Sequence, residues 1–376
     1  MPRVMVAMSG GVDSSVAAYL LQRQGYDCIG ATMRLYENAL VPPGLRTCCS
    51  LDDVEDARDV AALLGMRHYT FDFIDEFARD VIAPFVDSYE RGLTPNPCIE
   101  CNRRMKFGLL LSRARDMGCD FVATGHYARI EPPSCGPDGL SKRAFSALFP
   151  PDRPVLRRAV DASKDQSYVL AVATPDELAH TLLPLGGLTK REVRAIAERA
   201  GLPTASKRES QDICFIPDGD YVSFLERESG SPLAPGDVVD ERGAVLGTHR
   251  GMAAYTIGQR KGLGIAAKEP LYVCGKDASA NRVVVGPKSS LLARGVVAGE
   301  WNWIAAAPGE PVRVRVKTAY RQQAASATLR ALADGRVEIL YDGPRALVAP
   351  GQTVVAYAGD AVVGGGIAQG DLRPAE

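Results

Sequence analysis

The chain has 376 residues, 46% of them hydrophobic and 24% charged, with a formal net charge of −1 and nine cysteines. A chain of this size buries a substantial core in two or three domains, and no apolar run approaches the roughly twenty residues of a membrane span. The first strand already reads as part of the fold, so no signal peptide and no membrane contact are expected, the location is expected to be cytoplasmic, and the cysteines should serve chemistry before a disulfide framework.

The near-neutral total says nothing for or against nucleic acid binding, because a balanced sum can hide a basic face. Local clusters therefore matter: Arg103-Arg104-x-Lys106, Arg157-Arg158, Lys190-Arg191, Lys207-Arg208, Arg260-Lys261 and the series Arg313, Arg315, Lys317.

The strand Val4 to Ala7 runs directly into Met8-Ser9-Gly10-Gly11-Val12-Asp13-Ser14-Ser15 and then into the helix-compatible Val16-Ala17-Ala18-Tyr19-Leu20-Leu21. The glycines let the backbone approach an anion, and the serine hydroxyls stand beside the uncommitted N–H groups of a helix start. There is no Gly-Lys-Ser/Thr, and Asp13 suits a Mg²⁺ better than a phosphate. Ser-Gly-Gly-x-Asp-Ser between strand and helix resembles the PP-loop of N-type ATP pyrophosphatases. The resemblance implies that ATP is split to AMP and pyrophosphate while the substrate is adenylated.

Further strands are predicted at Cys28 to Met33, His68 to Phe73 and Asp120 to Thr124, and helices at Asp52 to Leu64, Ile74 to Tyr89 and about Asn102 to Met117. The alternation predicts an α/β fold, a doubly wound parallel sheet with ligands at the carboxyl ends of its strands, as in a Rossmann-like PP-loop ATPase. The nucleotide-binding set is then Ala7, Met8, Ser9, Gly10, Gly11, Val12, Asp13 and Ser14, with Met33 toward adenine and Gly125 giving close approach at the fourth strand. Residues 131–154 read as an exposed excursion rich in Pro, Gly and Ser. Thr174-Pro175-Asp176-Glu177 and Thr189-Lys190-Arg191-Glu192 carry the capping-box pattern. The expected domains are 1–215, catalytic; 216–290, a small central domain; and 291–376, an antiparallel β-barrel marked by alternating Val and Arg from Val312 and a hairpin signal at Asp334-Gly335.

Cys98 and Cys101 lie at an expected helix start, beside three cations that would favour thiolate. Cys214 follows Ser210-Gln211-Asp212-Ile213. Cys28, Cys119 and Cys274 read as small buried hydrophobes. The stretches Cys-Asn-x-x-x-Lys-Phe at Cys101 and Ser-x-Asp-x-Cys-Phe at Cys214 resemble the catalytic cysteines of bacterial tRNA-specific 2-thiouridylases. The resemblance continues through Gly125-His126-Tyr127-Ala128, Lys164-Asp165-Gln166-Ser167-Tyr168 and Tyr255 to Gly264, covering nearly the whole chain.

It implies ATP-dependent adenylation of the C2 oxygen of a wobble uridine, then sulfur transfer from a persulfide on Cys214, with Cys101 as the nucleophile that frees the sulfur or closes a Cys101–Cys214 disulfide. It further implies tRNA contacts at His126, Lys164, Asp165, Gln166, Tyr320, Arg321 and Gln352, with Asn96, Pro97 and Cys98 around a flipped base. Partners would be tRNAs for Lys, Glu and Gln, and a sulfur relay protein or cysteine desulfurase. Family members commonly have Asp where this chain has Cys98, a poorer acid/base partner. That residue creates Cys98-x-x-Cys101, which with Cys214 offers three thiolates for an iron–sulfur cluster as an alternative sulfur carrier. The barrel strand would place Arg313, Arg315 and Lys317 in one positive row for RNA, with Tyr320 and Arg321 at its end. Competing readings are another PP-loop ligase or amidotransferase, and a non-catalytic RNA-binding or iron–sulfur scaffold.

Overall fold

A computed structural model describes residues 1–36, 51–132, 142–207 and 213–372. The Cys48-Cys49 pair, Arg208, residues 133–141 of the excursion and Ser210-Gln211-Asp212 fall outside these residues. The strands of the first half are β1 (Arg3–Ala7), β2 (Asp27–Arg34), β3 (Arg67–Asp72), β4 (Phe121–Ala123), β5 (Ala128–Glu131), β6 (Val155–Arg158) and β7 (Thr181–Leu182). A central group follows, β8 (Gly236–Asp240), β9 (Val245–His249), β10 (Tyr272–Asp277) and β11 (Arg282–Gly286). The last are β12 (Leu292–Trp303), β13 (Val312–Lys317), β14 (Ala325–Ala331), β15 (Val337–Ala346), β16 (Thr353–Ala358) and β17 (Ala361–Leu372).

The first sheet has the order β3-β2-β1-β4-β7, every pair parallel. Period-two alternation sends Val4 and Val6 to one helical layer and Met5 to the other, all fully buried. The order turns back between β1 and β4, the switch point where a parallel sheet opens a ligand crevice beyond its strand ends. Both capping boxes form: Thr174 with Glu177 and Thr189 with Glu192 exchange side-chain and backbone hydrogen bonds.

The last six strands close into an antiparallel barrel, β12-β15-β14-β13-β16-β17, sealed by β12 against β17. Val314, Val316, Leu329, Ile339, Val354 and Val363 fill its interior. The predicted positive row is only partly present. Arg313 and Arg315 are exposed, but Arg313 is held bidentately by Asp342 (2.7 and 2.5 Å), and Lys317, on the same face, is covered by Tyr168 and Tyr320 and buried.

The excursion is a further correction. It connects the hairpin strands β5 and β6, of which β6 pairs with β17 and so extends the barrel wall. Its helix Lys142–Leu148 does not lie open: Phe145, Leu148 and Phe149 are buried in the barrel core, the two Phe rings stacked at 4.7 Å. Composition suggested exposure because few apolar residues are present, yet those few are the ones that pack. Arg129 and Arg157 both reach Asp360 (2.7 and 2.5 Å), tying hairpin to barrel.

Candidate active site

The helix Val12–Arg23 starts at Gly11 with no side chain capping it, so its leading N–H groups point into the crevice. Gly10 has φ +66°, and a Cβ there would fall 2.3 Å from the Asp53 carbonyl oxygen, so the loop lies directly on the helix Leu51–Leu63. Ser14 Oγ accepts from Ser9 N–H (3.2 Å) and donates to the Gly11 carbonyl (3.1 Å); Ser15 Oγ donates to the same carbonyl (2.9 Å). Two serines thus hold the loop shape. Thr32 Oγ1 donates to the Met8 carbonyl (2.7 Å), fixing the loop entrance to β2. Ala7 is half-buried, while Met8, Val12 and Met33 are buried core residues that offer a ligand mainly their backbone.

Two expectations change here. Gly125 gives close approach, but to the loop itself: a Cβ would meet Asp13 C and Ser14 N, each at 2.8 Å. Asp13 does not fit a direct Mg²⁺ ligand in this arrangement, because Lys190 Nζ binds both its carboxylate oxygens at 2.8 Å and the Tyr127 hydroxyl donates to Oδ1 at 2.7 Å. The sequence marked Lys190 only as part of a basic cluster and Tyr127 only within a motif, since a lysine at the start of a capped helix carries no sign that it will reach another helix.

The segment before the second thiol is fixed to the same loop. Thr204 Oγ1 donates to Ser15 Oγ (2.9 Å), and Lys207 Nζ binds Asp53 (2.6 Å) and Asp56.

Cys101 lies five residues inside a helical run that starts earlier than predicted. Asn96 caps it by accepting from the Cys98 N–H (3.1 Å), Pro97 takes the first position, and Pro97–Glu100 leads into a wide π-helical turn over Cys101–Leu110. Asn96 and Pro97 therefore serve the cap, Pro97 being buried, while Cys98 is exposed. The three cations expected to favour a thiolate are committed elsewhere: Arg103 and Arg104 to Glu100 (3.3 and 3.7 Å), Lys106 to His126 Nε2 (3.3 Å).

Cys101 and Cys214, distant in sequence, pack against one core cluster with Phe77, Phe85 and Phe215. Among the described residues no group of three or more His, Cys, Asp or Glu is placed to hold a metal. Cys98 is exposed while Cys101 and Cys214 pack against the core, and the iron–sulfur alternative is left without support. Cys28, Cys119 and Cys274 are buried as expected, and burial pushes the Cys28 thiol up to about 11.

The profile of the tRNA methyl transferase HUP domain matches residues 2–218, that of the tRNA methyl transferase PRC-barrel domain residues 222–287, and that of the aminomethyltransferase β-barrel domain residues 293–368. A tRNA-specific 2-thiouridylase MnmA from Geobacter metallireducens is 50% identical over 97% of this chain and 96% of that protein. One from Moorella thermoacetica is 49% identical over 96% and 98%. The chain belongs to the tRNA-specific 2-thiouridylase family. Among solved structures, a 4-thiouridine synthetase–RNA complex with bound ATP is similar over 60% of this chain and 50% of that one, at 18% identity and TM-score 0.36. NMN synthetase from Francisella tularensis is similar over 62% and 79%, at 17% identity and TM-score 0.32.

The residues that a 2-thiouridylase would turn toward RNA divide into exposed and buried groups. Tyr320 and Arg321 are exposed and Lys164 is half-buried. His126 is buried, with Nδ1 2.7 Å from Thr124 Oγ1 and Nε2 beside the Lys106 ammonium; burial first, then Lys106, hold it well below the usual histidine range and hence neutral. Asp165 is also buried, its Oδ1 accepting from the N–H groups of Ala159 (3.3 Å) and Ser167 (3.1 Å). Gln166 exchanges hydrogen bonds with the Tyr127 backbone (2.9 and 2.8 Å), and Gln352 Nε2 donates to the Thr94 carbonyl (2.9 Å). In this arrangement these four brace the site.

Among the described residues no helix is long and apolar enough to cross a membrane.

Proposed function

We propose that this chain is an ATP-dependent tRNA-uridine 2-sulfurtransferase acting on the wobble position. Support comes from the family membership together with one geometric observation: Cys101 and Cys214 share a core cluster behind the sheet whose carboxyl edge carries the phosphate loop. The uncapped helix start binds the phosphates of ATP and stabilises charge on the departing pyrophosphate. The C2 oxygen of the uridine attacks the α-phosphate, the bond to pyrophosphate breaks, and C2 now carries AMP as a leaving group. Cys214 bears a persulfide. The Cys101 thiolate attacks its inner sulfur, forming the Cys101–Cys214 disulfide and releasing hydrosulfide, which displaces AMP at C2. External thiols then reduce the disulfide.

A base stacked in a helix cannot present its C2 edge to both groups, so the uridine must be extruded. The acceptors are the tRNAs for Lys, Glu and Gln, a sulfur relay protein or cysteine desulfurase loads Cys214 in the cytoplasm, and Mg²⁺ accompanies ATP.

The test is nucleoside mass spectrometry of unmodified tRNA incubated with the chain, ATP and a persulfide donor. Wild type should yield 2-thiouridine, AMP and pyrophosphate, whereas Cys101→Ser and Cys214→Ser yield no 2-thiouridine. Product formed equally by both variants would sink the sulfur route, and pyrophosphate release indifferent to tRNA would favour another PP-loop ligase.

A further inference from the structure

Two cations at the seam between hairpin and barrel exceed the anions around them. Arg158, at the end of β6, lays its guanidinium over the Tyr357 ring, Cζ 4.0 Å from the centroid. Its Nε and Nη2 are shielded from solvent and have no hydrogen-bond partner among the described residues. Lys317, at the end of β13, is 8% exposed, with Nζ 5.9 Å from the ring centroids of both Tyr168 and Tyr320. The carboxylate facing the pair is Asp165, but it lies 4.0 Å from Arg158 Nε, and its Oδ1 is already taken by two backbone N–H groups. Among the described residues one carboxylate thus serves two cations.

Withdrawing ammonium and guanidinium groups from water without matching partners is costly. Burial lowers the Lys317 pKa, Asp165 opposes that and Arg158 adds to it. The surplus is one positive charge, the complement of one phosphodiester. The rim points to a nucleic acid: Tyr320 is 37% exposed and Arg321 is exposed beside it, giving a face on which a neighbouring base can stack. The floor leads to the nucleotide loop, because Gln166, next to Asp165, pairs with the Tyr127 backbone and the Tyr127 hydroxyl binds Asp13.

We propose that Arg158 and Lys317 form a pocket for one backbone phosphate of the RNA, held between hairpin and barrel and roofed by Tyr320. The proposal rests on the RNA-acceptor reading above and adds the position at which the strand is registered against the ATP loop. The bound oxygens would supply the partners that Arg158 Nε and Nη2 lack, tightening a loose contact into a charge-assisted fork.

The experiment measures equilibrium binding of a fluorescent anticodon stem-loop RNA to the full chain across a salt series. Arg158→Gln and Lys317→Gln should each weaken binding about tenfold and reduce the slope of log K against log salt by about 0.7, the contribution of one single-strand phosphate. The double variant should lose no more slope than either alone, since both hold the same phosphate. Arg158→Lys and Lys317→Arg, which keep the charge, should retain the slope and report on folding. Arg330→Gln, on the barrel but outside the pocket, should leave it unchanged.

Unchanged slopes in both Gln variants of a wild type that binds RNA would overturn the pocket while leaving the sulfurtransferase reading intact. A wild type that fails to bind RNA, yet gains thermal stability from inorganic phosphate only while Lys317 is present, would overturn the RNA source and the acceptor reading together.

Discussion

Replacing Gly125 by Ala tests whether that glycine serves the loop or the nucleotide. The added Cβ would stand 2.8 Å from Asp13 C and from Ser14 N, and 3.1 Å from Asp13 Cβ. Carbon contacts are comfortable only beyond about 3.5 Å, so the loop backbone must withdraw by roughly half an ångström or more. The obstacle is backbone at the start of a helix, and no side chain can rotate away. Overpacking of this kind costs about 1–3 kcal/mol, which, if borne by the nucleotide-binding form, raises the KM for ATP roughly 5- to 150-fold at about 1.4 kcal/mol per decade. The assay is tRNA-dependent pyrophosphate release as a function of ATP, alongside thermal unfolding without nucleotide. Because the clash exists before ATP arrives, the nucleotide-free chain should also melt lower, by about 2 °C or more. A raised KM with an unchanged nucleotide-free melting temperature would refute this reasoning and return Gly125 to direct contact with the nucleotide.

Lys207→Met leaves the 5% exposed Asp53 without its ammonium partner, and calorimetry should show destabilisation near the about 3–5 kcal/mol of a broken buried pair, much of it recovered in the double variant with Asp53→Asn. Thr204→Val should cost about 1–3 kcal/mol in denaturant melts, because Ser15 loses a buried partner. Acid should weaken the fold through histidine: His126, and to a lesser degree His68, stays neutral when folded but takes a proton when unfolded. Stability should therefore be full above about pH 6.5 and fall below it by up to about 1.4 kcal/mol per unit for each such group, and His126→Gln should flatten that limb. A limb of unchanged steepness in the variant would show that His126 titrates alike in both states.

The parallel sheet was legible because its strands are continuous apolar runs punctuated by Gly and by capped helix starts. Both capping boxes formed where Thr-x-x-Glu stood, since that motif acts within four residues and needs nothing distant. What escaped were groups whose roles depend on remote partners. Lys190 finds Asp13 across the crevice, Lys317 is buried because Tyr168 from another segment packs over its face, and Phe145 and Phe149 become core only once the barrel surrounds them. Residue pattern shows which face a side chain occupies, but the counterpart on the opposite element decides whether that face meets water. The site divides in the same way: the phosphate loop is local and was readable, while the cations beside Cys101 looked uncommitted until Glu100 and His126 were seen to claim them.

The hairpin of β5 and β6 also bears on how the chain reaches this structure. Its pairing partner β17 is synthesised long after it, and the stacked Phe145 and Phe149 between its strands find their cavity only when the barrel closes. These are contacts of long sequence separation, which pay their loop-closure entropy late and fold slowly. The nucleotide-binding half therefore emerges from the ribosome with an unpaired strand edge and an exposed aromatic pair, and it must wait in that condition until the barrel strands are made. Truncating the barrel should accordingly yield an aggregating fragment, in which the missing wall exposes the plug that was meant to fill it.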